Sequence, residues 1–143
     1  MTAAYPLTGV GLGAYYSGLL RYQTYGFNVA WIYAHNDYLQ LLSELGIIGF
    51  LVPAALICSV LGLALKAAFA SPSRDSRYLG LACAGGMTAI LIHSFADFNL
   101  YVPGNAMVLS WIAGMSSTLA FGSRARRVEI RRARCGGIES VDM

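Results

Sequence analysis

Two short polar groups in this 143-residue chain combine residue types that can move protons and bind anions. The first is His35-Asn36-Asp37, directly ahead of a long apolar run, with Glu44 as the last charge before it. A histidine can accept or donate a proton near neutral pH, so it is the natural acid–base candidate. The second is His93 and Asp97, spaced i and i+4, which puts them on one face if the segment is helical. Arg21 is the remaining cation of the first 44 residues and can clamp a phosphate or rest against a headgroup.

Each candidate also has a structural reading. Asp37 and Gln40 fit a capping box, with Asp37 as N-cap and Gln40 at N3, and Asn36 partly falls under the same account. His35 would then lie at the entrance of a helix whose free N–H groups and positive dipole end favour an anion. Its alternative is an interfacial histidine bonded to backbone. Glu44 is either an interfacial carboxylate or a partner for Arg21, and a His93–Asp97 pair equally well closes a helix end. Two distant histidines have no metal-ligand motif behind them. The three cysteines have no metal or disulfide spacing and read as small packing residues plus one tail thiol. "GVGLGAY", Gly9 to Tyr15, lacks the strand before it and the Lys-Ser or Lys-Thr after it that a phosphate loop needs; it reads as a tight turn with close backbone packing.

The elements that must hold these residues are membrane helices. The chain is 57% hydrophobic and 12% charged, about half the charge of a soluble domain, with a mean hydropathy of +0.56. Leu45 to Leu65 runs without a charge and, as a helix, is about 31 Å long, enough to cross a bilayer core. Pro53 inside it is tolerated in a membrane helix, often with a kink. Further spans are expected at 78–96, where Gly85, Gly86, Thr88 and Ala89 allow close helix approach, and at 106–122. A turn with Pro103-Gly104 separates the two.

Nine of the ten Lys and Arg lie in Lys66–Arg77 and Arg124–Arg134. Beside apolar spans, such clusters place both segments on the cytoplasmic side and leave 1–44 and the 97–105 turn on the opposite face. The organisation read from the sequence is therefore an all-α integral membrane chain. It has an outside segment at 1–44 with short helices, a three-helix transmembrane region at 45–122 and a basic cytoplasmic tail at 123–143. The first forty residues show no basic n-region followed by an apolar h-region, so the spans themselves are expected to do the targeting. The outside segment is aromatic-rich (Tyr5, Tyr15, Tyr16, Tyr22, Tyr25, Phe27, Trp31, Tyr33, Tyr38), which suits an interfacial belt or a sugar-stacking platform.

Three pieces in order, "YPLTGVGLGAY", "AHNDYLQLLSELGIIGF" and "HSFADFNLYVPGNAM", resemble the O-antigen ligase and O-antigen polymerase superfamily over roughly residues 5–120. The middle piece, with its His-Asn-x-x-Leu pattern, is the specific part. The resemblance implies the C-terminal part of a GT-C-type membrane glycosyltransferase in the bacterial inner membrane, acting in cell-surface polysaccharide or lipopolysaccharide biosynthesis. Such enzymes move a glycan from a polyprenyl-pyrophosphate (undecaprenyl-type) carrier to a glycan, lipid A-core or protein hydroxyl. They use no cofactor, no metal and no nucleic acid. It implies His35 as the catalytic residue; Arg21, Asn36, Glu44, His93 and Asp97 are candidate substrate-binding residues by their own chemistry. Family members have many more spans and an arginine-rich stretch upstream of the glycines, and Arg21 lies after them. The chain is accordingly expected to be a fragment or truncated product, inactive by itself. The rival expectation is an inactive membrane fragment that only packs or binds a partner; a transporter fragment would need more polar residues at mid-membrane depth.

Overall fold

The computed structural model describes residues 2–22 and 32–136, with side chains described as far as residue 122. Tyr25, Phe27 and Trp31 of the aromatic segment, and the side chains of the basic tail, lie outside the described residues. The described chain is helical: α1 (Tyr15–Leu19), α2 (Asp37–Ala70), α3 (Arg74–His93) and α4 (Pro103–Gly136), with a short 3₁₀ turn at Asn99–Tyr101. Among the described residues there is no strand.

The helix α2 is long and apolar enough to cross a membrane, and it is the one described helix that is. Of the three spans expected from sequence, this accounts for the first. The reason lies in composition. The α3 helix opens on Arg74, Asp75 and Arg77 and is rich in Gly and Ala, and α4 carries Ser110, Ser116, Ser117 and Thr118. Those hydroxyls turn back on their own helices: each donates to the carbonyl four residues earlier, at Ala106, Ile112, Ala113 and Gly114, respectively. This self-satisfaction lets a polar residue face an apolar environment.

A kink does occur in α2, but not at the proline. Pro53 stays within the helix, whereas Gly46 has φ 64°, ψ −175° and divides α2 into two helical stretches. A proline in a span loses one N–H and can be absorbed; a left-handed residue turns the backbone and leaves polar groups exposed on both sides of the break.

By Cα proximity the chain falls into two compact units, Met1–Ser59 with Met87–Ser110 and Val60–Gly86 with Trp111–Met143. In the second, buried Ala64, Cys83 and Ala84 form an apolar cluster packed by Leu61, Ile112 and Leu119. Small residues bring α2 and α3 close there. A side chain on Gly80 would run into the Ala68 backbone N at 2.6 Å and the Ala64 carbonyl at 2.9 Å. The first unit holds the polar groups singled out by sequence.

Candidate functional site

The break at Gly46 organises the first unit. A helix interruption exposes carbonyls before it and N–H groups after it. The glycine segment supplies partners for both. Val10 and Gly11 donate N–H to the Ser43 and Glu44 carbonyls at 3.0 and 2.8 Å, while Ile47 and Ile48 donate to the Pro6 and Leu7 carbonyls at 2.9 and 3.3 Å. The fit requires bare backbone. Gly9, Gly11 and Gly13 all have positive φ, a Cβ on Gly9 would collide with the Glu44 carbonyl, and one on Gly46 with the Leu7 carbonyl. "GVGLGAY" is thus the tight, closely packed turn its composition suggests, and its role is to fill a broken helix.

Glu44 locks this arrangement. It is 1% exposed. Its Oε2 accepts hydrogen bonds from the Gly13 N–H at 2.9 Å and the Tyr101 hydroxyl at 2.8 Å, and its Oε1 from Gln40 Nε2 at 3.4 Å. Burial, then the bond to Glu44, pushes the Tyr101 phenol above its ordinary value. Gln40 does not close a capping box; its Oε1 accepts the Ala34 N–H at 2.9 Å.

The cap of α2 falls one residue earlier than the sequence suggests. Asn36 Oδ1 accepts the Leu39 N–H at 3.0 Å, which is the N-cap bond, and its Nδ2 donates to the Phe95 carbonyl at 2.9 Å. Asp37 is instead fully buried, its N–H donating to the Ser94 carbonyl and its Oδ2 accepting the Leu100 N–H, both at 3.0 Å. Tyr38 adds a hydroxyl bond to the Leu91 carbonyl at 2.7 Å. Three consecutive residues thereby lash the start of α2 to the end of α3 and the turn after it. Asp37 Oδ1, Ser94 Oγ and Asn99 Nδ2 are the buried polar atoms left without a hydrogen-bond partner among the described residues.

This lashing brings the two sequence-predicted groups together. His35 Nδ1 lies 3.8 Å from Asp97 Oδ1, and His93 Nε2 lies 3.7 Å from Asp97 Oδ2, so one carboxylate stands between two imidazoles. Asp97 is held by its own Oδ1, which accepts the Phe98 N–H at 2.8 Å. The α3 helix ends at His93, so Asp97 reaches His93 from the turn beyond and not from the same helix. His35 has φ 48°, uncommon outside glycine, and its ring meets Phe98 edge-on at 5.2 Å. Phe98 in turn stacks on Tyr33 at 4.5 Å, and Tyr33 tilts against Tyr101 at 6.0 Å. The His35 side chain is 56% exposed and Asp97 43%. An imidazole fixed by an aromatic floor, beside a carboxylate and open to solvent, can take a proton from a hydroxyl that approaches it.

The match to known proteins falls on this half of the arrangement. Residues 1–54 match the family model described as O-antigen ligase. The resemblance to the O-antigen ligase superfamily is shown over that stretch. It takes in the glycine segment, His35, Glu44 and the Gly46 break, and ends before His93 and Asp97. No curated protein and no solved structure matches the chain.

Arg21 is placed away from the His35 group. It lines a cleft of about 360 Å³ with Tyr5, Tyr22, Ser17 and Gly9, whereas the ion-pair contacts of His35 and His93 are made to Asp97. Phe98 and Tyr101 were invisible as site residues in sequence. They sit in an irregular turn with no periodicity, and only the tertiary contacts to His35 and Glu44 mark them.

Proposed function

We propose that the chain is the C-terminal portion of a membrane glycosyltransferase of the O-antigen ligase or polysaccharide polymerase type. It transfers a glycan from a polyprenyl-pyrophosphate carrier to an acceptor hydroxyl. The observation that carries this reading is the exposed His35 beside Asp97, in a stretch that matches the O-antigen ligase model. The acceptor oxygen attacks the anomeric carbon, the bond from that carbon to the pyrophosphate oxygen breaks, and polyprenyl pyrophosphate leaves with the electron pair. The acceptor proton goes to the His35 imidazole, and the Asp97 carboxylate stabilises the imidazolium that forms. Configuration inverts in this single displacement.

In this reading the remaining candidates divide by position. Asn36 and Glu44 position the catalytic loop: their polar atoms are engaged by backbone, Tyr101 and Gln40. His93 shares Asp97 and faces the incoming glycan, and Arg21 with its tyrosines contacts an anionic or sugar portion of the substrate. The fold is part of a GT-C-type bundle with spans near 45–65, 78–96 and 106–122 in a bacterial inner membrane. Residues 1–44 and 97–105 lie on the outer face and the basic tail in the cytoplasm, supported by the charge distribution.

The test is glycan transfer from a polyprenyl-linked donor in membranes carrying the longest reading frame that contains this chain. His35→Ala is expected to lower transfer by about a hundredfold or more, the ordinary scale for a general base. Asp97→Asn should lower it less. Wild-type transfer by His35→Ala overturns the assignment, and no transfer by the unmutated protein favours a packing or partner-binding fragment.

A further inference from the structure

We propose that the turn between α2 and α3 holds the headgroup of an anionic phospholipid, at a site separate from the His35 group. The inference rests on α2 entering a membrane and is independent of the glycosyl-transfer reading.

The observation is a cleft of about 410 Å³ whose lining includes Ala68, Phe69, Arg74, Arg77, Tyr78 and Leu81. Its chemistry is divided. Arg74 and Arg77 are one turn apart on α3, so both guanidinium groups can reach one anion; Tyr78 and Leu81 follow at i+4 from each and extend the same face. No carboxylate lines the cleft among the described residues. The other wall is hydrocarbon. Phe69 is 73% exposed, Tyr78 70% and Leu81 56%. Three large apolar side chains left in water beside two cations are unfavourable in a soluble setting and natural at a bilayer interface.

The position in the chain agrees. The cleft lies where the candidate span α2 ends at Ala70, and Lys66, outside the lining, adds positive charge to the same end of the helix. An aromatic residue at headgroup level and a pair of arginines for the phosphate are the elements of anionic-lipid recognition. Arg77 is held in place, since its Nε donates to the Ala68 carbonyl at 3.3 Å, which leaves its terminal nitrogens directed by a fixed stem. A free phosphate would use the arginines alone. The exposed Phe69 and Leu81 therefore argue for a ligand with a hydrocarbon portion, and the occupant is a phospholipid such as phosphatidylglycerol.

The test is native mass spectrometry of the full chain in detergent, titrated with phosphatidylglycerol and, separately, phosphatidylcholine. The unmutated chain is expected to retain phosphatidylglycerol in preference to phosphatidylcholine. The double variant Arg74→Gln/Arg77→Gln should bind it about thirtyfold more weakly, as expected for two surface cations. Arg77 also bonds the turn, so Arg74→Gln alone, with helical content checked by circular dichroism, should still weaken binding severalfold. Phe69→Ser should weaken it as well, and inorganic phosphate should not displace the lipid. Unchanged phosphatidylglycerol binding by both arginine variants overturns the proposal. So does equal retention of phosphatidylcholine, or displacement by inorganic phosphate with no effect of Phe69→Ser, which would mark a free-anion site.

Discussion

The two units bury different things. In the first, the buried side chains are Asp37, Gln40, Ser43, Glu44, Ser94 and Asn99 with one large apolar residue, Met87; in the second they are Val60, Ala64, Ala67, Ala68, Cys83 and Ala84 with two small hydroxyls, Ser71 and Ser116. One unit is held by hydrogen bonds to a broken helix, and the other by close contact of small apolar residues. The contrast follows from the helix break. Once Gly46 interrupts α2, its carbonyls and N–H groups must be answered by the glycine segment, and the loops so recruited need polar anchors. Where α2 is continuous its backbone is already satisfied, and packing is governed by how near two helices can come.

The comparison can be broken at its strongest point. Gly46→Ala combines a positive φ with a collision against the Leu7 carbonyl, and should cost about 3 kcal/mol, the upper end of overpacking and backbone strain. The loss should appear as a lowered unfolding midpoint in detergent, with the glycine segment becoming protease-sensitive. Glu44→Ala leaves the Gly13 N–H and the Tyr101 hydroxyl without their acceptor and should cost roughly 2–3 kcal/mol in the same measurement.

In the second unit the matching perturbation is Gly80→Ala, which should cost about 1–2 kcal/mol because the added carbon meets backbone atoms of α2. Gly85→Ala is its control within the same helix. Nothing lies within 4 Å of a Cβ there, so helix propensity alone acts, and the variant should be about 1 kcal/mol more stable. If Gly80→Ala stabilises as Gly85→Ala does, close approach is not what organises this unit.

The finest test is pH. Tyr101 has a raised folded-state value, caused by burial and then by Glu44, so its protonated phenol is favoured in the fold. Its contribution is fully present below its ordinary value of 10.0 and is lost as pH rises above that value. Unfolding midpoints recorded from pH 8 to 11, a window bracketing the ordinary phenol value, should fall at the alkaline end for the unmutated chain and less for Tyr101→Phe. Equal slopes would remove Tyr101 from the anchoring of the first unit.

Much of the candidate site was legible because its residue types are rare in such a chain. His35, His93 and Asp97 stand out against 57% hydrophobic composition, and the middle motif pointed to the O-antigen ligase model that matches residues 1–54. Less legible was the division of labour within the polar run. Asp37 and Asn36 are both good N-cap residues by type, and which of them caps depends on a distant backbone N–H, that of Leu100, competing for the Asp37 carboxylate. Glu44 has the same history. Its charge before an apolar run looks like an interfacial group, and only the glycine segment and Tyr101 folding onto it make it buried.

The sequence by itself determined the helical class, an apolar segment long enough to cross a bilayer, the glycine turn and the identity of the ionisable candidates. These are local properties of composition and spacing. Tertiary structure alone decided that α2 breaks at Gly46 and not at Pro53, that Asn36 caps it, and that His35 shares Asp97 with His93 across more than fifty residues of chain. Those outcomes depend on hydrogen-bond partners brought in from elsewhere in the sequence, and local spacing carries no information about which partner arrives.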